Sequence, residues 1–161
     1  MYLFFFCGVA IDTFSQCPNS ATIRLSSTSV SGSTSFPTDK IGLDYPITNS
    51  DITLNSGIIT ISIENADTCL GWDVSVKRSD NTINTGLSFS VVKTSDGSGF
   101  SGSSINPIGL VPRTIETFEQ SFFTGVKNRT SITINYKISG ISVTMDAATY
   151  LSNIIFKITS N

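Results

Sequence analysis

The stretch that most constrains this chain runs from Ser131 to Thr159. Ile132, Ile134, Tyr136 and Ile138 alternate with Ser131, Thr133, Asn135, Lys137 and Ser139. A side-chain period of two places the four large residues on one face of an extended strand. Tyr150 to Thr159 repeats the pattern. Tyr150, Ile154, Phe156 and Ile158 share one parity, and Leu151 and Ile155 fall on the other, beside Asn153 and Lys157. Two such runs joined by a polar connection predict paired neighbouring strands at the centre of an all-β domain.

The remainder of the chain agrees. Ala21 to Leu25 puts Ile23 and Leu25 on one face. Ile52 to Leu54, Asn55-Ser56-Gly57 and Ile58 to Glu64 read as strand, turn and strand, with Ile59, Ile61 and Ile63 on one side. Trp72, Val74 and Val76 alternate next, then Leu87, Phe89 and Val91. Pro37, Gly42 and Pro46 make helix improbable between Phe36 and Ser50. Ser95 to Ser104 reads as a solvated loop with an Asp96-Gly97 turn, and it lacks the acidic ladder of a calcium loop. In Arg113 to Gly125, Ile115, Phe118, Phe122 and Phe123 fit one face of a short helix. Thr114, Glu116, Phe118 and Gln120 fit a strand equally well, and the neighbouring segments favour strand. Ser, Thr, Ile and Val dominate, and charged residues are only 14%. The expectation is an immunoglobulin-like β-sandwich of about 8–10 antiparallel strands.

Tyr2 to Ile11 carries no charge. The run is too short for a membrane span, which needs about 20 apolar residues. It fits the apolar region of a signal peptide over residues 1–16, here without a basic leader, and leaves a single domain over 17–161. A core strand is the alternative. Cys7 would leave with the signal. Cys17 and Cys69 then remain as an even pair in an oxidising compartment and are expected to form one disulfide, two separate buried thiols being the other possibility. Lipid attachment at Cys17 fits poorly, because Phe14-Ser15-Gln16 lacks the small residues that such a site requires.

Histidine is absent. That removes Ser-His-Asp and Cys-His catalysis and histidine-ligated zinc together. The net charge is −2, and the ten Lys and Arg are scattered, which argues against nucleic acid as a partner. Glu116 and Glu119 are the only closely spaced glutamates, and they share one segment, whereas a glycosidase needs carboxyls converging from separate elements. No residue is assigned a catalytic, cofactor-binding or metal-binding role, and no cofactor is expected. Trp72, Tyr136, Tyr150 and Phe156 are expected as core anchors, with a sugar-stacking platform as the alternative for Trp72. Asn128-Arg129-Thr130 matches the N-glycosylation sequon, relevant only in a host that modifies it.

From Cys69 onward the chain resembles bacterial fimbrial-type and spore-coat-protein-U-like surface domains. The matching pieces are Trp72 to Val76, the alternating run Ile132 to Ile138, and Ala147-Ala148-Thr149-Tyr150 leading into Ile154 to Ile158. The glycine of the family's A-G-x-Y motif is missing here. An early cysteine paired to one after the second strand is also similar to many pilins. The resemblance implies an immunoglobulin-like sandwich that is secreted, non-enzymatic and often polymerising, and that in some relatives accepts a strand from a neighbouring subunit.

The expected function follows: an extracellular structural or adhesive protein of the bacterial envelope. It would be a subunit of a fimbria-like filament or surface coat, associating with itself or with other surface subunits, and not an integral membrane protein once processed. Ala21, Ile23 and Leu25, extended to Val30, are the candidate donor strand, unless the segment pairs within its own domain. A carbohydrate-binding module is the alternative, with Tyr45, Phe100 and Tyr136 as candidate platforms for glycans. A carboxylate-dependent glycoside hydrolase is the remote third reading.

Overall fold

The computed structural model describes residues 2–15, 21–25, 29–35, 52–53, 59–79, 87–140 and 149–160. Among them there is no helix. The strands are β1 (Tyr2–Ser15), β2 (Thr22–Leu25), β3 (Ser29–Ser35), β4 (Ile52–Thr53), β5 (Ile59–Glu64), β6 (Trp72–Arg78), β7 (Ser88–Lys93), β8 (Ser98–Gly99), β9 (Ser104–Asn106), β10 (Val111–Thr114), β11 (Gln120–Val126), β12 (Arg129–Ser139) and β13 (Thr149–Ser160). They form an all-β sandwich of two packed sheets. More strands are present than the sequence predicts because several are only two to four residues long.

The first sheet has the order β3-β1-β13-β6-β11-β9. The second has the order β10-β7-β12-β5-β2, with β4 and β8 also paired to β12. Every pairing is antiparallel except β1 with β13, which run parallel from Phe4 opposite Thr149 to Ser15 opposite Ser160. The charge-free N-terminal stretch is therefore built into the first sheet as β1, between β13 and β3.

The alternation in β12 is realised as read: Ile132, Ile134, Tyr136 and Ile138 are all buried. The expected pairing of the last two long strands is not. β12 lies in the second sheet and β13 in the first, so their apolar faces meet across the core instead of sharing a ladder. The reason is a chain that changes sheet at each step from β8 to β13. Gly140, with φ of +81°, ends β12 in a backbone conformation that side-chain-bearing residues rarely adopt.

One other local expectation changes, in the segment after β10. The two strands read between Ile52 and Glu64 are both present, as β4 and β5. Both pair with β12, β4 at Lys137 and Ile138 and β5 between Arg129 and Ile134. Ile115 to Glu119 is neither strand nor helix. It is the crossing from β10 in the second sheet to β11 in the first. Its backbone is held by both sheets, with the Ile115 N–H donating to the Phe89 carbonyl and the Glu116 carbonyl accepting from the Arg78 N–H, each at 2.8 Å. Phe118, on the crossing, is exposed. A bulge between Ser121 and Phe123 then turns both Phe122 and Phe123 inward, which a regular strand cannot do.

These phenylalanines complete an aromatic cluster. Trp72 meets Phe123 edge-on at 6.1 Å, Phe123 meets Phe122 at 5.0 Å, and Phe122 meets Phe156 at 6.4 Å. The ring of Trp72 lies so close to Gly125 that a Cβ there would overlap it.

Candidate functional site

β7 carries the alternation that buries Leu87, Phe89 and Val91. The next residue on that parity is Lys93, and it too is fully buried. A buried ammonium needs a partner, because its hydration has been lost. Lys93 Nζ finds the Asp96 carboxylate three residues on and also donates to the Pro107 carbonyl at 2.7 Å. Asp96 in turn accepts from the Gly109 N–H, at 3.2 Å on Oδ1 and 3.0 Å on Oδ2. The two residues thus tie down the connection from β9 to β10.

Backbone geometry explains how Asp96 reaches this place. β7 and β8 pair with β12 at successive positions, and the residues between them cross a bulge in β12 between Arg129 and Ile132. Gly97 lies against that bulge with φ of +65°, and a Cβ would run into the backbone of Thr130, Ser131 and Ile132. The same crossing brings the Asp96 carbonyl to Arg129, whose Nε donates to it at 2.5 Å. Burial pushes the Asp96 carboxyl up. Hydrogen bonds from Lys93 and Gly109, with the charges of Lys93 and Arg129, outweigh that and hold it below its ordinary value. The segment expected as a plain solvated loop is therefore anchored at Asp96, although Phe100 at its tip is 70% exposed.

Beside this cluster lies a groove of about 260 Å³, lined by Asp96, Ser103, Ser104, Ile105, Ile108 and Arg129. On its apolar side Ile108 is 81% exposed.

The residues singled out from sequence are dispersed. Ala21 and Ile23 are buried, and Thr22 to Leu25 pairs with β5 of the same chain, so the candidate donor strand has an intramolecular partner. Val30 lies in β3 opposite Cys7. Cys69 is buried, and Cys17 lies outside the described residues. Trp72, Tyr136 and Phe156 are core residues. Tyr136 is thereby withdrawn as a surface platform for sugar. Tyr150 pairs with Phe5 through the backbone, and Tyr45 lies outside the described residues.

Glu116 and Glu119 flank the crossing to β11. Glu119 accepts from Ser75 Oγ at 2.9 Å and pairs with Lys157 at 3.2 Å. Burial pushes the Glu119 carboxyl up, but the bonds from Ser75 and Lys157 and the charges of Lys157 and Lys77 leave it below its ordinary value. Among the described residues no three His, Cys, Asp or Glu side chains gather as a metal site, and no helix is long and apolar enough to cross a membrane.

Sequence reasoning missed Lys93, Asp96 and Arg129 as a unit. One signal was present: Lys93 continues the buried parity of β7. The pairing with Arg129 depends on a bulge that no local pattern announces. No protein-family model matches the chain, and a search of curated proteins finds no match either.

Proposed function

We propose that this protein is a secreted, non-enzymatic structural or adhesive subunit of a surface filament or coat that associates by β-strand pairing. The parallel docking of β1 beside β13 is the observation that supports it. β1 occupies a twelve-residue register on β13, from Phe4 opposite Thr149 to Ser15 opposite Ser160. A leader removed on export would vacate that register. β13 would then present an open edge, and β3 would lose the partner to which it is paired. An open edge flanking an apolar core recruits a strand of matching pattern from another chain.

Export also suits the expected disulfide. A bond between Cys17 and Cys69 would stabilise the fold by about 2–4 kcal/mol.

The test is light scattering coupled to size-exclusion chromatography on protein beginning at Cys17, with and without a synthetic Tyr2–Ser15 peptide. The reading expects concentration-dependent oligomers that the peptide disperses. A monomer at every concentration, indifferent to the peptide, would overturn it.

A further inference from the structure

We infer that the groove beside Arg129 binds the carboxylate of an acidic sugar. This goes beyond the proposed assembly role and does not depend on it.

Charge makes the first case. Lys93 neutralises Asp96, whose two carboxylate oxygens are already engaged by Lys93 and Gly109. Arg129 acts on Asp96 through its charge but forms no ion pair with a carboxylate among the described residues. Lys127 adds a second positive group nearby, donating to the Ser101 carbonyl at 3.1 Å.

Donor inventory makes the second. Arg129 uses Nε on the Asp96 carbonyl and reaches Ser103 Oγ from Nη1 at a marginal 3.5 Å. Its Nη2 has no partner among the described residues, and neither does the Ser104 hydroxyl. A guanidinium with an unused Nη2 and a weakly engaged Nη1 can meet a carboxylate through two parallel N–H donors. Ser103 and Ser104 offer hydroxyls to ring oxygens and hydroxyls, and Ile108 offers an apolar wall to a pyranose face.

The ligand is compact for two reasons. The groove, at about 260 Å³, is smaller than a typical drug-sized site. The adjacent edge strand β9 has only three residues and is followed by Pro107, so an extended peptide has too short a ladder to add to.

Calorimetric titration of the full chain with sodium glucuronate, glucose and sodium acetate tests this. Saturable glucuronate binding is expected, with glucose and acetate each at least about tenfold weaker, since each lacks one half of the contacts. Raising the salt concentration should weaken glucuronate and acetate while leaving glucose unaffected. Ser104→Val should lower glucuronate affinity several-fold while leaving Arg129's bond to Asp96 in place, so it reports on binding even where an Arg129 substitution costs stability. Arg129→Lys, which keeps the charge and loses the fork, should lower it by about tenfold with the melting temperature recorded alongside. Absence of glucuronate binding, equal binding of glucose or acetate, or parental affinity in both variants would each overturn the inference.

Discussion

The indole of Trp72 is joined to Lys127 by a hydrogen bond, Nε1 donating to the main-chain carbonyl at 2.8 Å. Lys127, with φ of +58°, stands in the two-residue turn that carries the chain from β11 in the first sheet to β12 in the second. One side chain therefore anchors the aromatic cluster and the passage between sheets.

Replacing Trp72 with Phe should cost about 2–3 kcal/mol, from the orphaned carbonyl and the space left beside Phe123. Gly125→Ala should cost at least as much, because the added methyl meets the same ring. Urea denaturation followed by fluorescence or circular dichroism measures both, and an unchanged denaturant slope would assign the effect to the native state. Wild-type midpoints in both variants would contradict the packing described.

Asp96→Asn should be among the most destabilising single changes, at about 3–5 kcal/mol, since it leaves the Lys93 charge buried beside a neutral group. Lys93→Met should cost much less, and adding it to Asp96→Asn should recover most of the loss. A double-mutant cycle reads this coupling. Additive losses would show that the pair does not act as a unit.

Asp96 and Glu119 both have folded-state pKa values below their ordinary ones. Their stabilisation is complete above the unfolded values, about 4, and is lost as pH falls through the folded values. The stability profile should therefore drop on the acid side of about pH 4.5. Asp96→Asn should shallow that drop more than Glu119→Gln does, because Glu119 is the more exposed and its pair is screened by solvent. Equal slopes in the parent and Asp96→Asn would remove Asp96 as a source of acid sensitivity.

Asn128 closes the loop after β5. Its Oδ1 accepts from the Ala66 N–H at 2.7 Å, and its Nδ2 donates to Asp67 at 2.6 Å. Asn128→Asp keeps the acceptor but faces Asp67 with a second carboxylate. It should destabilise more than Asn128→Ala at neutral pH and regain stability on acidification. A sugar attached at this sequon would displace the same bonds, so expression in a glycosylating host should give less folded protein than Asn128→Gln gives. Thermal melts across pH and intact mass decide both points.

How much of this was legible can be seen in single residues. Ile132 to Ile138 declared a buried face because a ladder with one wet side imposes a period of two. The same rule held for Ile59 to Ile63 and Leu87 to Val91. What the pattern cannot encode is which sheet a strand joins. β12 and β13 look like partners in sequence, and only the nine-residue passage after Ser139 separates them into two layers. Phe122 and Phe123 were ambiguous because a bulge breaks the period that the eye follows. Lys93 was legible as a position and illegible as chemistry. Its parity said inside and its charge said outside, and the resolution lies in Asp96, Pro107 and Gly109, residues outside its own strand.

The register between β1 and β13 has a temporal side. Its partners are the most widely separated in sequence of any in the two sheets. Synthesis delivers β1 before β13, so this ladder cannot close until every residue between them has been made. For that whole interval β3 can pair with one edge of β1, while the edge that meets β13 stays open to whatever factor meets a nascent chain. The sandwich thus reserves for its final step the one strand pair on which both folding at home and recruitment by a neighbour would turn.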